Sequence, residues 1–161
     1  MKARVAASVV LAVGIAFGTA GCDLIAPQAT ETHYDASDGV NGQTGDVKIR
    51  NAFLVAGDGN AVNLVATFVT SGSGLETIKI EPNGDPTLTQ SFELSAGTTV
   101  VGNETRIQIN GLTIAPGGLF PVYFVAGTGE GVRLQLPVLD GSLEPYSSYT
   151  PTPVPTQPLL G

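Results

Sequence analysis

GDVKIRNAFLVAGDGNAVNLVATFVTSG, Gly45 to Gly72, is the stretch that decides the class of fold. Val47 and Ile49 alternate with Lys48 and Arg50, the period of two that puts successive side chains on opposite faces of a strand. A second run alternates Val62, Leu64, Ala66 and Phe68 with Asn63, Val65, Thr67 and Val69, so both of its faces are largely apolar. A strand of that kind belongs at the centre of a fold, covered on each side. Between the two runs lies GDGN, Gly57 to Asn60, whose Asp-Gly pair suits the positive φ of a tight hairpin.

The same signature continues downstream. Short β-prone runs follow at Leu75–Glu81, Thr87–Leu94, Thr98–Val101, Thr105–Asn110, Leu119–Ala126 and Gly131–Val138. Nearly every gap between them holds Gly, Pro or Asn. Ile107 and Ile109 oppose Arg106 and Gln108, and Val132, Leu134 and Leu136 oppose Arg133 and Gln135, which gives each run a dry and a wet face. With 21 Gly, 11 Pro and no Trp in 161 residues, the chain is expected to be all-β. The expected form is a two-sheet sandwich, immunoglobulin-like or cupredoxin-like, with a disordered N-terminal tether and C-terminal tail.

The ends read differently. Lys2 and Arg4 precede the apolar run Val5–Gly18, too short for a permanent span of about 20 residues, and small residues Ala20 and Gly21 precede the only cysteine, Cys22. Residues 1–21 therefore read as a signal peptide, removed by cleavage between Gly21 and Cys22. Residues 22–45, rich in Asp, Thr, Gly and Gln, read as a flexible tether, 46–140 as the β-sandwich domain, and 141–161, with Pro151, Pro153, Pro155 and Pro158, as an extended Pro-rich tail. The tail also contains a PxxP match at Pro155–Pro158, more simply read as a spacer.

The TAGC segment, Thr19 to Cys22, resembles the lipobox of bacterial lipoproteins, departing from it at Thr19, where that class usually has Leu. The resemblance implies a diacylglyceryl lipid on Cys22, no other cofactor, and a lipid-anchored protein on the outer face of the bacterial cell membrane. Thiol chemistry agrees, because a single exported cysteine has no internal partner and a free thiol there invites unwanted pairing. Two acyl chains, each buried CH₂ worth about 0.8 kcal/mol, anchor stably where one is marginal.

Charge excludes one class of partner. From Cys22 onward there are five basic side chains (Lys48, Arg50, Lys79, Arg106, Arg133) against 14 acidic ones, a net of −9. Scattered cations on an acidic chain do not displace counterions from phosphates, so no nucleic acid is expected.

The chemistry expected inside the domain is sparse, with no catalytic residue and no metal ligand assigned. His33, the only histidine, lies in the tether, a poor place to build a general base or a zinc site. Glu76, Glu81, Asp85, Glu93, Glu104 and Glu130 fall at strand ends and turns in no recognisable hydrolase pattern. DASDG (Asp35–Gly39) and GDGN do not continue into a calcium loop and read as turns. The glycine clusters at Ser71–Gly74 and Pro116–Gly118 have no following helix to make a phosphate cradle. Asn103-Glu104-Thr105 matches a short, common glycosylation sequon, out of place in a bacterial protein.

Over Gly45 to Val138, GDVKIRNAFLVA, NLVATFVTSG and APGGLFPVYFVAGTGEGVRLQLPV resemble the strand pattern of periplasmic PCu(A)C-type copper chaperones and their exported lipoprotein relatives. The resemblance implies a cupredoxin-like β-sandwich. Members that bind metal hold Cu(I) with His and Met, whereas the one Met here is Met1 and no His lies in the domain. The leading expectation is a non-enzymatic interaction module that meets an envelope protein or wall polymer. Rival expectations are a chaperone-like protein with weak or lost copper binding and, last, a small enzyme using paired carboxylates.

Overall fold

The computed structural model describes residues 2–19, 37–57 and 59–152, with the side chains of 16–19 outside that description. Gly21, Cys22, His33 and Asp58 lie outside the described residues, as does the end of the tail from Pro153. The chain divides into two units, 1–34 and 35–161. In the first, Lys2–Thr19 forms helix α1, whose Val5, Val9, Val10, Leu11, Val13 and Ile15 are exposed. No helix among the described residues is long and apolar enough to cross a membrane.

The second unit is all-β and two-layered. Among the described residues its nine strands are β1 (Val40–Thr44), β2 (Val47–Ala56), β3 (Ala61–Thr70), β4 (Glu76–Pro82), β5 (Gln90–Leu94), β6 (Gly97–Val101), β7 (Ile107–Asn110), β8 (Leu119–Ala126) and β9 (Val132–Asp140). One layer holds β1, β2, β3, β6 and β7, with β6 and β7 sharing one edge of β3. The other holds β5, β4, β8 and β9, all antiparallel. The two layers are a single sheet folded over. The first part of β9 pairs with β8, and its last residues, Val138–Asp140, run parallel to Leu54–Ala56 of β2. At the facing corner, Thr44 Oγ1 donates to Glu130 O at 2.8 Å and accepts the Ala126 N–H at 3.2 Å, so β1 is tied to the β8–β9 turn.

The eight strands read from the sequence are present, and outside the second half of β2 the core is the one their alternation specifies. Val47, Ile49, Val62, Leu64, Phe68, Ile78, Ile80, Ile109, Val122, Phe124 and Leu136 are buried between the layers. Phe68 and Phe124 meet across the gap with centroids 6.4 Å apart. Burying each such side chain stabilises the fold by about 1.5–3 kcal/mol.

Three features differ from the sequence expectation. The first is β1, which lies in the stretch assigned to the tether. VNGQT carries no apolar alternation, and its pairing with β2 is fixed by backbone and amides instead. The second is a bulge at Asn51, which sits at φ 50°, a left-handed conformation that Asn tolerates better than most residues. Its N–H donates to Asn41 Oδ1 at 2.9 Å and its own Oδ1 accepts the Gly39 N–H at 2.8 Å. The extra residue reverses the parity of β2. Val47 and Ile49 point into the core before it and Ala52 and Leu54 after it, which leaves Phe53 and Val55 on the outer face.

The third concerns the segment after Asp140. Residues 141–152, assigned to the tail, pack against the body. Glu144–Tyr149 forms a 3-10 turn, and Tyr146 and Tyr149 meet Phe53 edge-on, with centroids 6.0 and 6.3 Å away. With Leu139 they cover Phe53, Val55 and Val65. Arg106, just before β7, and Gln108 within it hold the strap down. Arg106 donates to Thr150 O (2.8 Å) and Ser148 O (3.0 Å), and Gln108 exchanges two 2.8 Å bonds with Thr152. On the outer face of β3 the strap covers Val65, while Val69 stays partly exposed.

The Tyr146 phenol is pushed above its ordinary value of 10.0, chiefly by burial and then by the Asp38 carboxylate, which it also meets in a hydrogen bond. A raised folded-state value means that this contact stabilises the fold fully below the unfolded phenol's value. The contribution is lost as pH climbs through the raised one. Urea midpoints measured from about pH 8 to 11 are therefore expected to fall above about pH 10, and less steeply in Tyr146→Phe.

Candidate functional site

The outer face of the second layer carries a concave site. Alternation sends Ile80, Phe124 and Val132 into the core, and therefore turns their neighbours Glu81, Tyr123 and Arg133 outward. Register places those three in one cross-strand row, Glu81 opposite Tyr123 and Tyr123 opposite Arg133. Together with Asn83, Gly84 and Pro121 they line a pocket of about 210 Å³.

One wall of the pocket is a turn specified by sequence. Asn83 and Gly84 have φ of 51° and 71°, and the Asp85 N–H closes on Pro82 O at 2.9 Å, the pattern of a type I′ turn. The Asn83 N–H donates to Pro121 O at 2.8 Å, fixing the turn over β8. Asp85 then starts a 3-10 turn at Pro86–Leu88. Its Oδ1 accepts the Thr87 hydroxyl at 2.7 Å and the Thr87 N–H at 2.8 Å, which together hold its carboxyl below the ordinary range.

The position of the Tyr123 ring depends on a glycine. The ring lies against Gly131, the residue before β9, and a Cβ at 131 would stand 2.6 Å from Tyr123 Cζ and 2.8 Å from Val125 Cγ2. Any larger residue there displaces the ring. Tyr123 and Glu81 are half-buried, while Asn83 and Arg133 are exposed. Among the described residues, the side chains of Glu81, Asn83 and Arg133 make no hydrogen bond or ion pair. The pocket thus presents open acceptors, open donors and an aromatic ring.

Of the carboxylates singled out in the sequence, Glu81 alone enters this pocket, and no Asp or Glu among the described residues is buried. Glu76, Glu93, Glu104 and Glu130 lie at other strand ends and turns, and Asp35 lies outside the described residues. No group of three or more His, Cys, Asp or Glu among the described residues could hold a metal ion. The period-two pattern puts Arg133 on a wet face, and nothing in the sequence singles out Tyr123. Three wet-face residues become one site only when β4, β8 and β9 are known to be neighbours.

No family model matches the sequence, and no curated protein matches it. Among solved structures, the chain is similar to the copper-bound PCuAC domain from PmoF2, with TM-score 0.49 and 12% identity over 63% of this chain and 98% of that one. It is also similar to the apo PCuAC domain from PmoF1, with TM-score 0.45 and 13% identity over 62% and 98%. A third is the apo PmoF2 PCuAC domain, with TM-score 0.48 and 13% identity over 65% and 98%.

Cu(I) takes soft sulfur and imidazole ligands. Met1, Cys22 and His33 are the only Met, Cys and His of the sequence, so residues 34–161 contain none. The residues of the β body do not fit a Cu(I) site.

Proposed function

We propose that this chain is a non-enzymatic binding module of the bacterial cell envelope. It is held to the outer face of the membrane by a diacylglyceryl thioether on Cys22 and meets an envelope protein or wall polymer at the Glu81–Tyr123–Arg133 pocket. The observation that carries the reading is that pocket, in which charged and amide side chains stand open beside an aromatic ring, as ligand sites require. A hydrolytic role lacks support there, since one carboxylate has no second carboxylate or histidine to share the proton work. The anchored part of the proposal is supported by sequence, through the basic start, the apolar run and the small residues before Cys22.

Fractionation of cells carrying the wild type and Cys22→Ala tests the anchor. The wild type is expected in the membrane fraction with a mass increase from lipid, and the variant in the soluble or uncleaved fraction. A variant that stays in the membrane, with no lipid mass on the wild type, would sink the proposal.

Copper carriage, which the names of the similar domains bring to mind, is the other reading to test. Titration with Cu(I) against a competing chelator is expected to reveal no site tighter than micromolar, and a tighter one would revive it.

A further inference from the structure

We infer that the pocket binds one pyranose ring of a polysaccharide, its apolar face against Tyr123 and its hydroxyls on Glu81, Asn83 and Arg133. The inference rests on the binding-module reading and adds the class of ligand. The volume, about 210 Å³, suits a single sugar ring and is small for a nucleotide or a folded segment. The lining supplies what a ring of hydroxyls needs, namely a carboxylate that only accepts, a guanidinium that only donates and an amide that does both. The C–H groups on a sugar's apolar face carry slight positive charge and meet the negative face of an aromatic ring. Tyr123, seated over Gly131 and half-buried, is placed for that contact.

Spacing disfavours other small ligands. Glu81 and Arg133 lie two strands apart, roughly 10 Å between backbones, with Tyr123 between them. An amino acid carries its ammonium and carboxylate on one carbon and cannot readily use both groups while covering the ring. A phosphate would find a single cation with a carboxylate across from it. A sugar ring distributes its hydroxyls around a perimeter of suitable width.

The test uses the mature full chain in detergent, mixed with insoluble chitin, insoluble peptidoglycan and cellulose, with soluble chitotetraose as competitor. Retention on at least one polymer is expected, and the pattern across the three tells wall glycan from other polysaccharides. Tyr123→Ala, Arg133→Ala and Gly131→Val are each expected to weaken retention at least tenfold, while Lys48→Ala, on the other layer, is expected to leave it unchanged. Circular dichroism checks that each variant folds, and Arg133→Ala, at an exposed residue with no bond among the described residues, keeps the test alive if Tyr123→Ala does not fold. Wild type that stays membrane-anchored in cells but is retained on none of the polymers overturns the ligand class and leaves the anchored-module reading standing. Retention unaffected by Tyr123→Ala and Arg133→Ala overturns the assignment of the site.

Discussion

Ending the chain at Asp140 is expected to cost about 3 kcal/mol of stability, although the removed residues look like the start of a Pro-rich tail. The strap from Gly141 to Thr152 covers Phe53, Val55 and Val65 with Tyr146 and Tyr149. Re-exposing three such side chains costs about 1.5–3 kcal/mol each, offset in part by the conformational freedom the strap regains. At a urea slope near about 1.5 kcal/mol per molar, the midpoint should fall by roughly 2 M. The truncated protein should also bind a hydrophobic dye that the intact chain does not. An unchanged midpoint with no dye binding would mean that the strap is a passenger.

Asn63→Leu is expected to lose about 2–4 kcal/mol, despite replacing a buried polar side chain with an apolar one. Asn63 is fully buried on the outer face of β3, and its Nδ2 donates to Gly102 O at 2.6 Å and Tyr149 O at 2.8 Å. Its Oδ1 has no partner among the described residues, so the two donors carry the amide's hydrogen bonding. Leucine strands both carbonyls. Asn63→Asp should be worse at neutral pH, because a buried carboxylate would face two carbonyl oxygens. Burial raises that carboxyl's folded-state value, so the deficit should shrink as pH falls and the group is protonated. Since Tyr149 belongs to the strap, Asn63→Leu should cost less in the chain ending at Asp140 than in the full chain, a coupling that a double-mutant cycle reads directly. Equal costs in both backgrounds would show that Asn63 does not act through the strap.

These two experiments concern what the sequence did not reveal. The β2–β3 hairpin and the core alternation were legible because hydrophobic periodicity carries them. The need for cover on both faces of β3 was legible too, from Val62, Leu64 and Phe68 on one side and Val65 and Val69 on the other. What supplies the cover was not. The strap is held by its backbone carbonyls, which leave no mark on side-chain composition, and by two tyrosines in a segment otherwise typical of a tail. β1 escaped for a similar reason, since its place depends on Asn41, Asn51 and Thr44 rather than on apolar residues. Asn51 also shifts the parity of β2, so a strictly alternating reading assigns Phe53 and Val55 to the wrong face. At the site, Arg133 reads as a wet-face residue and Glu81 as one at a strand end, but their meeting at Tyr123 follows from the order β5-β4-β8-β9, which is a tertiary fact.

Ligand contact is expected on the outer face of β4, β8 and β9. Nuclear magnetic resonance of the isotope-labelled protein, titrated with a soluble fragment of whichever polysaccharide retains it, tests this directly. Shifts are expected to cluster at Glu81, Asn83, Gly84, Tyr123 and Arg133. Shifts clustered instead on the opposite layer, along Lys48, Val69 and Thr98 with Arg50, Thr67 and Val100, would contradict it.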